Sequence, residues 1–167
     1  AFTDTLERAS STEIIITGAG KTKAKASKVS IIEKNGTKFG FLAFSDVGPV
    51  WIKAGESSPG ILLLADPSLS QIISEAKIEV DVLIVSIHWG DEYKEYNERQ
   101  QEYAHKIIDS GADLIIGHHP HVIQGTEKYK DGLIFYSLGN FIFDQKFSEE
   151  TMEAGVVEIA YEGKTPI

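Results

Sequence analysis

The stretch from Val80 to His121 constrains the fold more than any other part of this sequence. It consists of an apolar segment that ends in His88, a helical pattern, and a second apolar segment that ends in His118 and His119. This pattern predicts a parallel strand-helix-strand unit, whose strands end at the same edge of a sheet about 4.8 Å apart. Four of the five histidines therefore lie where their imidazoles can converge on one metal ion.

Length and composition limit the kind of protein. With 167 residues, 42% of them hydrophobic, the chain has the size of one ordinary domain, so residues 1–167 are predicted to form a single domain. The net charge of −9, without a basic run, argues against nucleic acid as a partner. No apolar run reaches the roughly 18 residues of a membrane span. Zero cysteines leave histidine, carboxylate and amide groups as the available metal ligands.

Hydrophobic spacing and turn signals predict the remaining elements. Asn35-Gly36 and Asp131-Gly132 each predict a β-hairpin, because both dipeptides stand between strand-like runs. Asp66-Pro67 predicts a helix start. The predicted strands cover 13–17, 29–33, 37–44, 80–87, 113–117, 122–130, 133–137, 141–143 and 156–161. The predicted helices cover 2–9, 66–76 and 95–110, and the predicted loops cover 21–28 and 46–59.

Strand geometry separates the candidates within the histidine cluster. If residues 117–122 stay extended, side chains alternate, so His119 and His121 point to one side and His118 to the other. A lone histidine such as His88 is more often a buried, hydrogen-bonded residue, but its position beside the second cluster favours a metal. His88, His119 and His121 are therefore the predicted metal ligands. His118 is either a catalytic proton donor or substrate contact, or it makes a structural hydrogen bond.

Four further residues have competing interpretations, and a fifth, His105, has one. Asp91 and Glu92 each have three alternative roles, which are to orient a ligating imidazole, to bind the metal directly or to cap the next helix. For Asp91 the capping role is favoured. Trp89 either walls the pocket or belongs to the core. Asn140 lies in a turn after a strand, where it either faces the site, which is favoured, or bonds to the backbone. His105 falls on the polar face of its helix and is predicted to be a solvated surface histidine.

Three ordered motifs carry a family resemblance. They are Ser86-Ile87-His88-Trp89-Gly90-Asp91-Glu92-Tyr93, Gly111-Ala112-Asp113-Leu114-Ile115-Ile116-Gly117-His118-His119-Pro120-His121-Val122-Ile123-Gln124 and Tyr136-Ser137-Leu138-Gly139-Asn140-Phe141-Ile142-Phe143-Asp144. Together they resemble the bacterial CapA-like family, which is associated with poly-γ-glutamate capsule synthesis and belongs with the calcineurin-like metallophosphoesterases. The resemblance covers about residues 3–161. It implies an α/β sandwich of two mixed sheets flanked by helices, with a dinuclear metal site at strand ends.

The resemblance also implies which residues bind metal. His88 matches the lone downstream histidine of the phosphoesterase pattern, and His119 and His121 match its Gly-His-x-His element, with His118 as an inserted residue. The earlier elements, Asp-x-His, Gly-Asp-x-x-Asp and Gly-Asn-His-Asp/Glu, have no counterpart here. The sandwich is therefore expected to be incomplete at the N-terminus, as a partial domain with about half of the metal shell. A preceding segment, expected because the chain begins without Met, would carry any targeting or membrane-anchoring sequence.

The function that the resemblance implies is hydrolysis with divalent Mn, Fe or Zn ions at the bacterial cell envelope or outside the cell. The expected partners are a phosphoester or anionic polymer substrate and the missing N-terminal segment. The isolated chain is expected to bind metal weakly and to hydrolyse little or nothing. Two alternatives remain, a non-catalytic accessory protein in capsule polymer assembly or export and a metal-binding module without catalysis. The lysines at 21, 23, 25 and 28 form either a basic patch or a solvated loop.

Overall fold

The computed structural model describes residues 2–162 and 165–166. The strands are β1 (Ala19–Gly20), β2 (Ser30–Lys34), β3 (Thr37–Ser45), β4 (Gly60–Ile61), β5 (Val82–His88), β6 (Leu114–His118), β7 (Thr126–Tyr129), β8 (Gly132–Phe135), β9 (Tyr161–Glu162) and β10 (Thr165–Pro166). The helices are α1 (Phe2–Ser10), α2 (Lys23–Ala26), α3 (Leu69–Glu79) and α4 (Glu98–Asp109), with short 3₁₀ turns at Val50–Ile52 and Glu150–Met152. The chain is therefore mixed α/β, as predicted.

A six-stranded sheet in the order β2-β3-β5-β6-β8-β7 forms the centre of the molecule. The four inner strands run parallel, and the hairpin partners β2 and β7 run antiparallel at the two edges. Strands β5 and β6 pair in register from Ile84–Leu114 to His88–His118. This register confirms the predicted parallel unit and brings the two strand ends side by side. The other two sheets contain two strands each, β1-β4 and β9-β10.

Helices α3 and α4 flank one face of this sheet. In β5 the side chains that point to this face include Leu83, Val85 and Ile87, which are fully buried and belong to one apolar core. Helix α4 contributes Ala104 and Ile107 to the same core. Truncation of one such leucine or isoleucine to alanine costs about 2–5 kcal/mol, because a cavity remains. The core therefore holds the parallel strands and their carboxyl ends in place.

Local capping positions the two helices of the core. Asn97 begins α4 with a capping box, since its side chain accepts from the Gln100 amide while the Gln100 side chain accepts from the Asn97 amide. Gly111 follows this helix with a φ of 115°, a positive value that glycine adopts readily at the end of a helix. Helix α3 begins at Leu69, later than the predicted start, because Asp66-Pro67 lies in the preceding turn.

The Asp66 carboxylate is almost completely buried and binds two lysines. Its side chain is 1% exposed and lies 2.8 Å from Lys23 Nζ and 3.1 Å from Lys53 Nζ. Burial acts to raise the pKa of Asp66, but hydrogen bonds from Lys23, the Ser68 amide and Lys53 together outweigh it and hold the pKa far below its usual range. Lys21 pairs with Glu7. Two of the four lysines of the predicted patch are thus engaged in ion pairs.

The second face of the central sheet is only half-buried. Phe39, Ile84 and Ile116 line a groove of about 320 Å³ on this face. Val157 and Ile159 also line the groove, and residues 155–161 alternate between half-buried and exposed positions. This alternation is typical of a strand, yet residues 155–160 pair with no neighbouring strand, so the predicted strand 156–161 is wrong except at Tyr161.

Several other sequence predictions are wrong in detail. The predicted strands 13–17 and 141–143 are not strands, because these apolar residues find no neighbouring strand and Ile14, Ile15 and Ile142 remain exposed. The predicted loop 21–28 contains α2, capped by Thr22. The turn of the second hairpin consists of Lys130-Asp131 rather than Asp131-Gly132. Within the described residues, no helix combines the length and apolar character that a membrane crossing requires.

Candidate metal centre

The carboxyl ends of β5 and β6 place His88 and His118 next to each other. These two residues are the last of their strands and pair in register. The chains that follow stay together, since the Trp89 amide donates to the His118 carbonyl at 3.0 Å and the Tyr93 amide donates to the Pro120 carbonyl at 2.8 Å. Two loops therefore leave the sheet side by side, one carrying Glu92 and the other carrying His119 and His121.

The loop after β6 does not continue the strand. His119 has a φ of 103° and His121 a φ of 61°, so the backbone enters the left-handed region directly after His118. The predicted alternation along 117–122 is therefore wrong, because it required an extended chain. The rings nevertheless gather, with centroids of His88 and His119 4.6 Å apart and those of His119 and His121 5.9 Å apart.

Glu92, His119 and His121 form the tightest group of possible ligands. One ligand atom from each residue lies within 4.8 Å of the other two, and among the described residues no other such group of three is present. The two histidines are half-buried and Glu92 is exposed, so the group opens towards solvent. His88 lies beside this group through its ring contact with His119, whereas His118 belongs to neither contact.

Asn140 fixes the orientation of His121. Its Oδ1 atom lies 2.8 Å from His121 Nδ1, while its Nδ2 atom donates to the carbonyls of Thr151 at 2.9 Å and His121 at 3.2 Å. Because two carbonyl acceptors require the amide nitrogen on their side, Oδ1 faces the ring, and Nδ1 of His121 carries the proton. The Nε2 lone pair is then free for a metal. Asn140 thus faces the site, as favoured from the sequence, and also bonds to the backbone.

Aromatic side chains surround His121. The rings of Tyr93 and Phe143 lie 5.9 and 5.2 Å from it, and Phe147 packs edge-on against Tyr93 at 5.0 Å. Gln145 donates to the Tyr93 hydroxyl at 2.8 Å and accepts from the Asn140 amide at 3.2 Å. The loop from Asn140 to Thr151 therefore closes one side of the site.

The protein lowers the pKa of two of the histidines. Partial burial lowers the pKa of His88, and the neighbouring His119, His118 and His121 lower it further, although part of the side chain reaches solvent. Partial burial also lowers the pKa of His118. Both shifts favour the neutral imidazole, which is the form that donates a lone pair to a metal ion.

The remaining candidates lie around the site rather than in it. Trp89 is fully buried, stacks on Tyr136 and donates from Nε1 to the Tyr136 carbonyl at 2.9 Å, so it belongs to the core. Asp91 accepts from the Asn97 side chain at 3.2 Å, next to the helix cap. His105 is not a solvated histidine, because its ring stacks on Tyr129 at 3.7 Å and its Nε2 atom lies 2.7 Å from Glu127 Oε1.

Sequence reasoning missed the contacts that hold the loops. Tyr93, Gln100 and Gln124 carry no metal-binding signal, and their roles depend on contacts between segments that are distant along the chain. For Gln100, the spacing Asn-x-x-Gln at 97–100 is the signal that could have found the capping box. Gln124 has no comparable local signal.

The donor set fits a divalent transition metal. Ligand atoms of one zinc ion, each about 2.0–2.2 Å from it, lie at most about 4.4 Å apart. The group at Glu92, His119 and His121 spans up to 4.8 Å, so small side-chain rotations would bring its atoms into that range. Imidazole nitrogens with one carboxylate suit Zn, Fe or Mn. His88 stands next to the group as a further nitrogen donor.

Comparison with known proteins agrees with the CapA-like resemblance. The chain is 41% identical over 158 residues to the "PGA biosynthesis protein CapA" of Bacillus subtilis, covering 93% of this chain and 41% of that protein. It is 36% identical over 160 residues to the "Capsule biosynthesis protein CapA" of Bacillus anthracis, covering 93% of this chain and 39% of that protein. The chain therefore spans about two fifths of the length of these relatives.

The chain also resembles a solved structure and matches a family model. A hypothetical protein from Thermus thermophilus shares the fold with a TM-score of 0.52 at 16% identity, over 83% of this chain and 58% of that one. The family model described as "Bacterial capsule synthesis protein PGA_cap" matches residues 1–145, a range that contains the strand ends, both ligand-bearing loops and Asn140. Because this family model matches residues 1–145 and the two Bacillus relatives each match 93% of the chain, the chain belongs to the bacterial capsule synthesis protein PGA_cap family.

Proposed function

We propose that this chain is part of a divalent-metal-dependent, phosphoesterase-like hydrolase that serves poly-γ-glutamate capsule synthesis. The observation that carries the proposal is the group formed by Glu92, His119 and His121, whose ligand atoms lie within 4.8 Å of one another. These residues, with His88 beside them, would hold the ion. The names of the two Bacillus relatives support the link to capsule synthesis and an association with the cell envelope.

A bound divalent ion would lower the pKa of a water molecule and neutralise negative charge on the attacked group. The residues of this chain prepare the site for it. Asn140 holds His121 with Nε2 facing away from the amide, and such outer partners of metal-binding histidines raise metal affinity about 10–100-fold. The exposed side of Glu92 leaves room for a substrate, which we propose to be a phosphoester or an anionic polymer. His118 pairs in register with His88, where it would contact the substrate.

A second strand layer belongs to the same proposal. The half-buried sheet face at Phe39, Ile84 and Ile116 and the alternating segment 155–161 support a second sheet, which would complete a metallophosphoesterase-type sandwich. We propose that its other strands come from the part of the full-length protein outside these residues. The relatives are long enough to supply them, because this chain covers only 41% and 39% of their lengths.

A non-catalytic accessory role is the second candidate. Phe141, Ile142 and Phe143 are 76%, 88% and 56% exposed, directly beside the site. Exposed apolar clusters of this kind are typical of surfaces that bind another protein. In this case the histidines would position the surface without taking part in hydrolysis.

Metal titration tests the central proposal. Calorimetry with Mn²⁺ and Zn²⁺ should give weak binding to the unmodified chain, and His119→Ala should abolish it because the central group of Glu92, His119 and His121 then loses one of its donors. His105→Ala is the matched control, since His105 lies in α4 and pairs with Glu127 instead. Identical isotherms for the unmodified chain and His119→Ala would refute the metal site.

Activity separates the two candidates. The full-length protein should cleave a generic phosphoester in the presence of Mn²⁺, and His88→Ala should lower kcat at unchanged folding. A full-length protein that binds Mn²⁺ yet cleaves neither phosphoesters nor poly-γ-glutamate would favour the accessory role.

A further inference from the structure

The loop that carries Glu92 is exposed and is held by hydrogen bonds and ring contacts, among them Tyr93 on His121 and Tyr96 on Tyr136. Residues 91–96 are all exposed, so this loop lacks an apolar side chain buried in the core. Two hydrogen bonds tie it to the neighbouring loop with His119 and His121. The Tyr93 amide donates to the Pro120 carbonyl at 2.8 Å, and Gln124 Nε2 donates to the Lys94 carbonyl at 2.8 Å.

Gln124 is a buried amide with a defined set of partners. Only 4% of its surface is exposed, and its Oε1 atom accepts from Gln100 Nε2 at 3.0 Å. Gln100 is 2% exposed and accepts from the Asn97 amide. Burial of an amide is unfavourable unless hydrogen bonds compensate for the lost water. These bonds therefore select one arrangement, in which α4, the Glu92 loop and the histidine loop are joined.

We propose that Gln124 is a positioning residue that sets the separation between Glu92 and the imidazoles of His119 and His121. This role rests on the metal site proposed above. Lys94 lies two residues after Glu92 and Gln124 lies three residues after His121, so their hydrogen bond joins the loops close to the ligand atoms. Without it, the Lys94 carbonyl turns to water, and the distance from Glu92 to the histidines is limited by the Tyr93–Pro120 bond and by the ring contacts of Tyr93 and Tyr96.

Loss of the Gln124 side-chain amide should lower metal affinity about tenfold. This is the lower end of the range of about 10–100-fold that is typical when a residue supporting the metal ligands is replaced. The effect stays below a full loss, because Gln124 acts on loop position and the three ligands remain. Amide exchange supplies a readout without metal. The Tyr93 amide should exchange faster when Gln124 no longer holds the loop, since its bond to Pro120 then opens more often.

The test compares Gln124→Met with Gln100→Met in calorimetry with Mn²⁺, with circular dichroism to establish folding. Both residues are buried amides of the same size, but Gln100 also belongs to the capping box, so its replacement should destabilise the fold at least as much. Gln124→Met should weaken Mn²⁺ binding about tenfold, whereas Gln100→Met should change it less than about threefold, because the Lys94 bond remains.

Several results would overturn this role. If Gln124→Met binds Mn²⁺ with unchanged affinity, Gln124 does not position the ligands, although the metal site stands. The same conclusion follows if both variants lose Mn²⁺ affinity in proportion to their loss of fold stability. Absence of Mn²⁺ binding by the unmodified chain rejects the metal site and this role together. If Gln124→Met does not fold, Gln124→Asn replaces it, because the shorter amide stays neutral and polar but is one methylene too short to bond both Gln100 and the Lys94 carbonyl.

Discussion

Replacing Gly117 by alanine tests how closely β6 and the core must fit at the strand end that leads into the histidines. A Cβ atom on Gly117 would lie 1.9 Å from the Tyr136 carbonyl oxygen and 2.4 Å from Trp89 Nε1. These two atoms are joined by the buried hydrogen bond of 2.9 Å described above. A methyl group therefore meets two atoms that cannot both move away without breaking that bond.

The magnitude follows from two terms. Overpacking of a filled core costs about 1–3 kcal/mol. A buried donor left without its acceptor costs about 1–3 kcal/mol more. The free energy of unfolding of Gly117→Ala should therefore fall by about 2–6 kcal/mol, against a total of about 5–15 kcal/mol for an ordinary domain.

Urea unfolding followed by tryptophan fluorescence measures this change. Trp89 is fully buried and Trp51 is 82% exposed, so the change in signal reports mainly on Trp89 beside the substituted position. Gly155→Ala is the matched control, because its new Cβ atom would find its nearest neighbour at 3.4 Å, an ordinary contact. The control should stay within about 0.5 kcal/mol of the unmodified chain. A Gly117→Ala variant with the same small change would refute the steric argument.

Three further predictions concern charge, metal and surface. Asp66→Asn should lower the free energy of unfolding by about 1.5–3 kcal/mol at pH 7. Because the folded-state pKa of Asp66 is lowered, its contribution is complete above the ordinary pKa of Asp and declines as the pH falls from there towards the folded-state pKa, so urea unfolding at pH 7 and pH 3 should show a smaller difference at pH 3. Free Mn²⁺ at 100 times its Kd should stabilise the unmodified chain by about 2.7 kcal/mol, and thermal unfolding of His119→Ala should show no such gain. Trp51→Ala should leave the free energy of unfolding within about 0.5 kcal/mol of the original, since Trp51 is exposed; a larger change would reveal a contact of Trp51.

Much of the central sheet could be predicted from local patterns. The Asn35-Gly36 turn identifies the first hairpin, and the apolar runs that end at His88 and Gly117 identify the buried parallel strands. The failures at 13–17 and 141–143 share a physical cause. A short apolar run becomes a strand only when a neighbouring strand accepts its hydrogen bonds, and one sequence segment does not contain that information.

The site shows a similar division. Strand ends at a shared edge explain why the rings of His88, His119 and His121 gather, and this could be predicted from topology. The backbone turn after His118 could not, because it depends on contacts of the two loops such as the bond from Tyr93 to Pro120. The same contacts bring Glu92 close to the imidazoles. From the sequence alone, metal binding by Glu92 was therefore only one of several possible roles.

The left-handed backbone at His119 and His121 sets fold stability against ligand placement. A side chain in this region costs about 1–2 kcal/mol relative to glycine, which adopts it freely. Glycine at position 119 should therefore resist denaturant better than alanine at the same position, although both variants lack the imidazole. At this edge of the sheet, fold stability and ligand placement therefore favour different residues. A sequence selected only for resistance to unfolding would carry glycine at these positions and would lack the imidazoles of the site.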